Sequence, residues 1–103
     1  MIIENWSNEP YKTHGLDCHS AYTSETIGGV EFNVAITLYN AKNGDESAIA
    51  FCYYDEDDNY REYLLDCGKM GLIELKIIAE RHAKAIESSD FEELEDLNYV
   101  LIM

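Results

Sequence analysis

Between Val30 and Tyr39 the chain alternates: Val30, Phe32, Val34, Ile36 and Leu38 are apolar, while Glu31, Asn33, Ala35, Thr37 and Tyr39 lie between them. A period of two sends successive side chains to opposite faces of an extended backbone, so this segment reads as a half-buried strand with one face committed to a core. Asn40, Asn43, Gly44 and Asp45 then supply turn chemistry. Ala48 to Tyr54 follow as a second run with Ile49, Phe51 and Tyr53 on one face, and the two runs pair as a hairpin. Asp55 to Asn59 make a second turn. Tyr60 to Cys67, polar at its start and carrying Leu64 and Leu65, completes a three-stranded antiparallel meander.

The period changes after Gly68 and Gly71. Leu72, Leu75, Ile78, Ala79, His82, Ala83 and Ile86 fall on one face of a helix running to about Glu87, and that stripe is expected to lie across the sheet. Glu80 and Lys84 have the spacing of a surface ion pair. Ile73 and Ile77 sit off the stripe among charged residues, facing the N-terminal segment or a second subunit. Ser89 and Glu92 have capping-box spacing, which predicts a short helix from Asp90 to about Leu97 with Phe91 and Leu94 inward. The apolar tail Tyr99 to Met103 is expected to add a strand or pack on the core. The first 29 residues are polar and turn-rich, with Pro10, Gly15 and the Gly28–Gly29 pair, and read as short strands or ordered loop.

The expected fold class is therefore α+β: a small antiparallel sheet of three to five strands packed against one long helix in the C-terminal half, with a short second helix. A chain of 103 residues leaves too few for a second core, so residues 1–103 are read as one domain. An apolar fraction of 47%, with eight Tyr, three Phe and one Trp, suffices to fill that core and argues against disorder.

Charge narrows the choice of partners. Twenty-one acidic residues against seven basic ones give a net charge of -14, beyond the roughly 2 to 8 that solubility asks of a small domain. The resulting field repels nucleic acid and anionic membranes and attracts basic surfaces or cations. Met1 to Pro10 hold no basic stretch followed by an apolar one, and no apolar run approaches the roughly 20 residues of a membrane span. Three cysteines, Cys18, Cys52 and Cys67, are an odd number at irregular spacing, which fits a reducing cytoplasm better than a disulfide framework.

Chemistry-bearing motifs are weak. Asp55, Asp57, Asn59 and Asp66 have the ligand spacing of a calcium loop, but Tyr60 stands where that loop needs glycine and no helix precedes it. His14, Cys18 and His19 cluster in sequence, and Cys52, Cys67 or His82 would have to complete a zinc shell, yet no paired ligand spacing supports one. The same Cys and His residues lack any nucleophile motif around them, and there is no phosphate-cradling glycine loop. The reading is a chain with no catalytic residues, no metal and no cofactor.

What remains is acid interleaved with aromatics. Tyr54, Asp55, Glu56, Asp57, Asp58, Tyr60 and Glu62 lie in one hairpin, and Glu92, Glu93, Glu95 and Asp96 near the C-terminus; Arg61 is the only base in the two stretches. Carboxylates two apart on a strand stand about 6.6 to 7 Å from one another, a spacing able to engage successive arginines or lysines of a groove built for phosphates. Tyrosine adds contact area at low entropy cost. In charge and size the chain resembles small acidic inhibitors of nucleic-acid enzymes: anti-restriction and anti-CRISPR proteins, and immunity proteins for nuclease toxins. That resemblance implies binding to the basic surface of a nucleic-acid-handling protein by steric block and electrostatic mimicry, without direct nucleic-acid or membrane binding. The alternative is a structural or assembly module that forms a homodimer through Ile73 and Ile77 or the apolar tail.

If no metal supports the fold, thermal midpoints measured with and without a strong chelator should agree. A drop of more than a few degrees on chelation would restore the calcium or zinc reading.

Overall fold

The computed structural model of the chain describes Trp6 and residues 11–13, 16–40 and 46–103, with side chains at Trp6 and from Cys18 onward in those ranges. The elements run β1 (Tyr11–Thr13), β2 (Leu16–Ile27), β3 (Val30–Asn40), β4 (Ser47–Tyr54), β5 (Tyr60–Gly68), α1 (Leu72–Glu87), α2 (Glu93–Asp96) and β6 (Val100–Leu101). All strands pair antiparallel in the order β1-β2-β3-β4-β5-β6, so every strand neighbours its predecessor in the chain. The α+β architecture inferred from periodicity is the one observed, with four long strands and two short edge pieces.

The alternation in β3 does what its period requires. Phe32, Val34, Ile36 and Leu38 are buried on the inner face, with Ile49, Phe51 and Tyr53 of β4 beside them in register pairs such as Ile36↔Phe51 and Leu38↔Ile49. α1 closes this layer with Leu75, Ala79, Ala83 and Ile86, all fully buried, while Leu72, Ile78 and His82 sit half-buried at the margins of the stripe. The small alanines bring the helix close to the sheet, where β-branched and aromatic side chains fill the space between. Ile73 and Ile77 face away and are 76% and 51% exposed.

Before Gly28 the structure departs from the expectation of short strands or loop. β2 is a single strand of 12 residues, paired with β3 from Asp17↔Asn40 to Ile27↔Val30. Its inner positions are His19, Ala21, Thr23, Glu25 and Ile27 and its outer ones Cys18, Ser20, Tyr22, Ser24 and Thr26, so no hydrophobic contrast marks the period. Threonine and tyrosine content and the long ladder to β3 decide in favour of strand. The turn is tight: Gly28 and Gly29 have φ of 60° and 82°, the left-handed pair that a two-residue hairpin loop needs and that side-chain-bearing residues resist.

The C-terminal segment also differs in detail. α2 is four residues long, and no side chain caps it. Backbone carbonyls fill that role instead, since Glu93 N donates to Asp90 O (3.2 Å) and Leu94 N to Phe91 O (3.1 Å), which removes the need for the expected Ser89–Glu92 box. Phe91 and Leu94 are buried as expected. The tail pairs with β5 through Tyr63↔Leu101 and Leu64↔Val100, and Tyr99 is buried with its hydroxyl 2.8 Å from His82 Nδ1. Val100 to Met103 remain exposed, so the tail joins the core through Tyr99 and adds a strand beyond it.

Leu75→Ala, at the centre of the helix–sheet contact, is expected to lower unfolding free energy by about 2–5 kcal/mol in urea titrations. Ile73→Ala on the same helix should change it by less than about 0.5 kcal/mol; equal losses at both positions would contradict the assigned faces.

Candidate partner-binding surface

Each face of the β4–β5 hairpin carries different chemistry. On the inner face an aromatic group ties the hairpin to the C-terminal segment: the Phe91 ring stacks on Tyr53 with centroids 3.6 Å apart, and Phe32 meets Phe91 edge-on at 5.1 Å. Tyr53 also lies parallel to Tyr63 at 6.5 Å. This packing sets the start of the Glu92–Asp96 segment against the strand that leads into the hairpin tip. Burial raises the Tyr63 hydroxyl pKa first, and the fields of Glu95 and Glu92 raise it further, so both carboxylates lie within electrostatic reach of β5.

At the hairpin tip the acids do not share one role. Asp55 Oδ1 accepts hydrogen bonds from the backbone N–H groups of Asn59 and Asp57, both at 2.9 Å, and Oδ2 accepts from Arg61 Nε at 3.1 Å. These donors, led by Asn59, hold its carboxyl below the usual carboxylate range. Asp55 therefore builds the turn, as aspartate commonly does, and takes up the charge of Arg61. Asp58 sits at φ 60°, a conformation aspartate tolerates. Glu56, Asp57 and Asp58 are exposed. Beside them a groove of about 310 Å³ opens toward the β2–β3 turn, where Glu31 joins Asp55, Glu56 and Asp58 around Phe32. Glu31 is an acidic member that sequence reading did not single out, because only the register of β3 against β4 brings it there.

The remaining predicted residues divide between the two faces. Tyr54, Tyr60 and Glu62 project outward from the sheet, away from α1, with Tyr54 edge-on to Tyr60 at 5.5 Å. Tyr60 donates its hydroxyl proton to Glu62 Oε1 at 2.8 Å, and the Cys52 thiol approaches the same oxygen at 3.5 Å. Burial pushes that thiol up to about 11, so it stays protonated at neutral pH. Glu92, Glu95 and Asp96 are exposed near α2, and Glu93 is half-buried. The predicted surface is thus a band that passes from the outer face over the hairpin tip to the α2 segment.

Alternative sites gain little from the geometry. Among the described residues no group of three or more His, Cys, Asp or Glu side chains is placed to hold a metal ion. Cys18 and His19 point to opposite faces of β2, and His14 lies outside the described residues. No described helix is long and apolar enough to cross a membrane. Comparisons with protein-family models, curated proteins and solved structures find no match to this chain.

One acid stands apart from the band. Glu25, on the inner face of β2 opposite Phe32, is fully buried, and neither carboxylate oxygen has a hydrogen-bond partner among the described residues. Desolvation, reinforced by the Glu87 carboxylate, raises its pKa to about 7. The folded state therefore holds a proton that the unfolded chain releases near the ordinary value of 4.5, and stability falls as pH rises from 4.5 through 7. The loss attributable to this group is about 3 kcal/mol at most. Glu25→Gln should flatten the dependence, so that the gap between wild type and variant in urea midpoint moves in favour of the variant between pH 5 and pH 8. Parallel curves for the two proteins would contradict the assignment.

Proposed function

We propose that this protein is a non-catalytic inhibitor whose acidic end occupies the basic, nucleic-acid-binding surface of a partner protein, in the manner of anti-restriction, anti-CRISPR or nuclease-immunity proteins. The observation that supports the reading is the Tyr53–Phe91 stack, which joins the strand leading into the Asp55–Asp58 tip to the residue preceding the Glu92–Asp96 segment. Arg61 is the only base in either stretch, and Asp55 already engages it. The other carboxylates have no local lysine or arginine in sequence to neutralise them, and a partner rich in arginine or lysine would supply the missing charge. Exposed Tyr54 and Tyr60 beside the tip offer contact area for that partner's less polar surface.

Blocking of this kind needs no chemistry. The net charge of -14 steers the protein toward a positive cleft, and the occupied cleft no longer accepts phosphates. A second reading, self-association through α1, draws on the exposure of Ile73 and Ile77 one turn apart. The summed negative charge opposes it in the absence of a neutralising partner.

The test begins with capture of the partner from host lysate, followed by titration at two salt concentrations. Affinity should fall steeply as salt shortens the Debye length toward about 8 Å and below, and the partner's nucleic acid should compete. Glu56→Gln/Asp57→Asn/Asp58→Asn and Glu92→Gln/Glu93→Gln/Glu95→Gln should each keep the fold, and at least one should weaken binding by roughly tenfold or more. Asp55 is left intact because it organises the turn. Affinity indifferent to both salt and neutralisation, with a dimer in sedimentation, would favour assembly instead.

A further inference from the structure

The outer face of the sheet carries a second surface, which meets the acidic band at Glu62 and extends away from the hairpin tip. Both helices pack on the inner face, where their buried residues join those of β3 and β4 in one core. On the outside, Ala48 of β4 lies between Tyr39 of β3 and Asp66 of β5. Around that small side chain opens a groove of about 750 Å³, with Tyr39, Ala48, Leu64, Val100 and Ile102 contributing its apolar surface.

Two features make this more than an uneven sheet surface. Val100 and Ile102 are 62% and 47% exposed although they belong to or adjoin a hydrogen-bonded strand, so their apolar area is held in a fixed position facing solvent. The polar rim is of one sign: Glu46, Glu62 and Asp66 line the groove, and no lysine or arginine is among its described lining residues. A second copy of this chain would set those carboxylates against the same carboxylates. An apolar floor with an anionic rim instead complements a segment that is apolar on one side and cationic at its margins.

We propose that the outer-face groove docks a basic amphipathic helix of a partner protein, with aliphatic side chains seated over Ala48, Leu64, Val100 and Ile102 and lysines or arginines reaching Glu46 and Asp66. A helix is the occupant because the groove lies on the face of the sheet, where a helix packs by its apolar stripe, whereas an added strand would pair at an edge. The helix would form a third layer, mirroring α1 on the other side. This surface goes beyond the acidic-end reading and stands or falls separately from it.

The test uses protein labelled at its methyls and backbone amides, titrated with a synthetic amphipathic helix of leucine and lysine, about 14 residues or roughly 21 Å long. A counterpart with glutamate in place of each lysine serves as control. The expected result is shift changes at the methyls of Ala48, Leu64, Val100 and Ile102 with the lysine peptide and none with the glutamate peptide. Glu46→Lys/Asp66→Lys and, separately, Ile102→Ser should each weaken the lysine peptide by roughly tenfold while leaving the unbound spectrum otherwise native. Shifts confined to residues 55–58 and 92–96, or unchanged affinity in both variants, would overturn the proposal, as would equal binding of the glutamate peptide. Because the reporting methyls lie in the groove, failure here is read separately from failure at the acidic end.

Discussion

Burial of one face of the β3–β4 ladder beneath α1 is the contact on which the remaining structure depends. Ile36, Leu38, Ile49 and Phe51 have no exposure, and Leu75, Ala79, Ala83 and Ile86 meet them from the helix. β2 and β5 gain their places by hydrogen bonding to the two strands so anchored. Their own inner residues, such as Ala21 and Tyr63, extend the same apolar layer. The α2 segment is drawn in by Phe91 and Leu94, and the acidic end is therefore a product of core packing. A fold with a net charge of -14 opposes its own compaction. The observed arrangement answers by keeping nearly every described acid out of the apolar layer, with Glu25 the exception.

That exception and the engaged state of Asp55 divide the acids by function. Asp55 spends its carboxylate on two backbone donors and one guanidinium, which makes it part of the turn. Glu25 has no described partner for its own, and desolvation raises its pKa to about 7. Glu56, Asp57 and Asp58 at the tip and Glu92, Glu95 and Asp96 beside α2 are instead open to solvent. Counting carboxylates therefore overstates the surface available to a partner, and geometry supplies the correction.

Much of this was legible in the residues. β3 and α1 follow from hydrophobic period, because each has one buried and one more exposed face, while β4 is apolar on both sides and is marked by its run of apolar and aromatic residues between turns. β2 was not legible as one strand, since His19, Thr23 and Glu25 occupy its inner positions and carry no apolar signal; pairing with β3 overrides the weak local preference. The four-residue α2 is shorter than the Ser89–Glu92 spacing implied because backbone bonds to Asp90 and Phe91 already close its first turn. At the candidate site, the identity of the acidic residues was plain, but their convergence was not. The Tyr53–Phe91 stack joins positions 38 residues apart, and nothing in local sequence announces such a contact. The outer-face groove was equally hidden, because Tyr39, Ala48, Leu64 and Val100 meet only once β3, β4, β5 and β6 have paired.

The strictly consecutive strand order has a consequence for how the chain reaches this state. The ladders from β1 to β5 join segments adjacent in sequence, so closing each requires only a short loop and little entropy is lost, whereas the β5–β6 pairing has to wait for α1 and α2 between them. Proteins built from such near-neighbour contacts fold faster than sheets whose strands must find distant partners. During synthesis β2, β3 and β4 can pair before α1 has been made, leaving the inner face of the young sheet bare until the helix emerges. For that interval Glu31 on β3 and the acids of the β4–β5 turn add like charge that opposes association of incomplete chains. The same charge that burdens the finished fold thus guards its assembly against edge-to-edge aggregation.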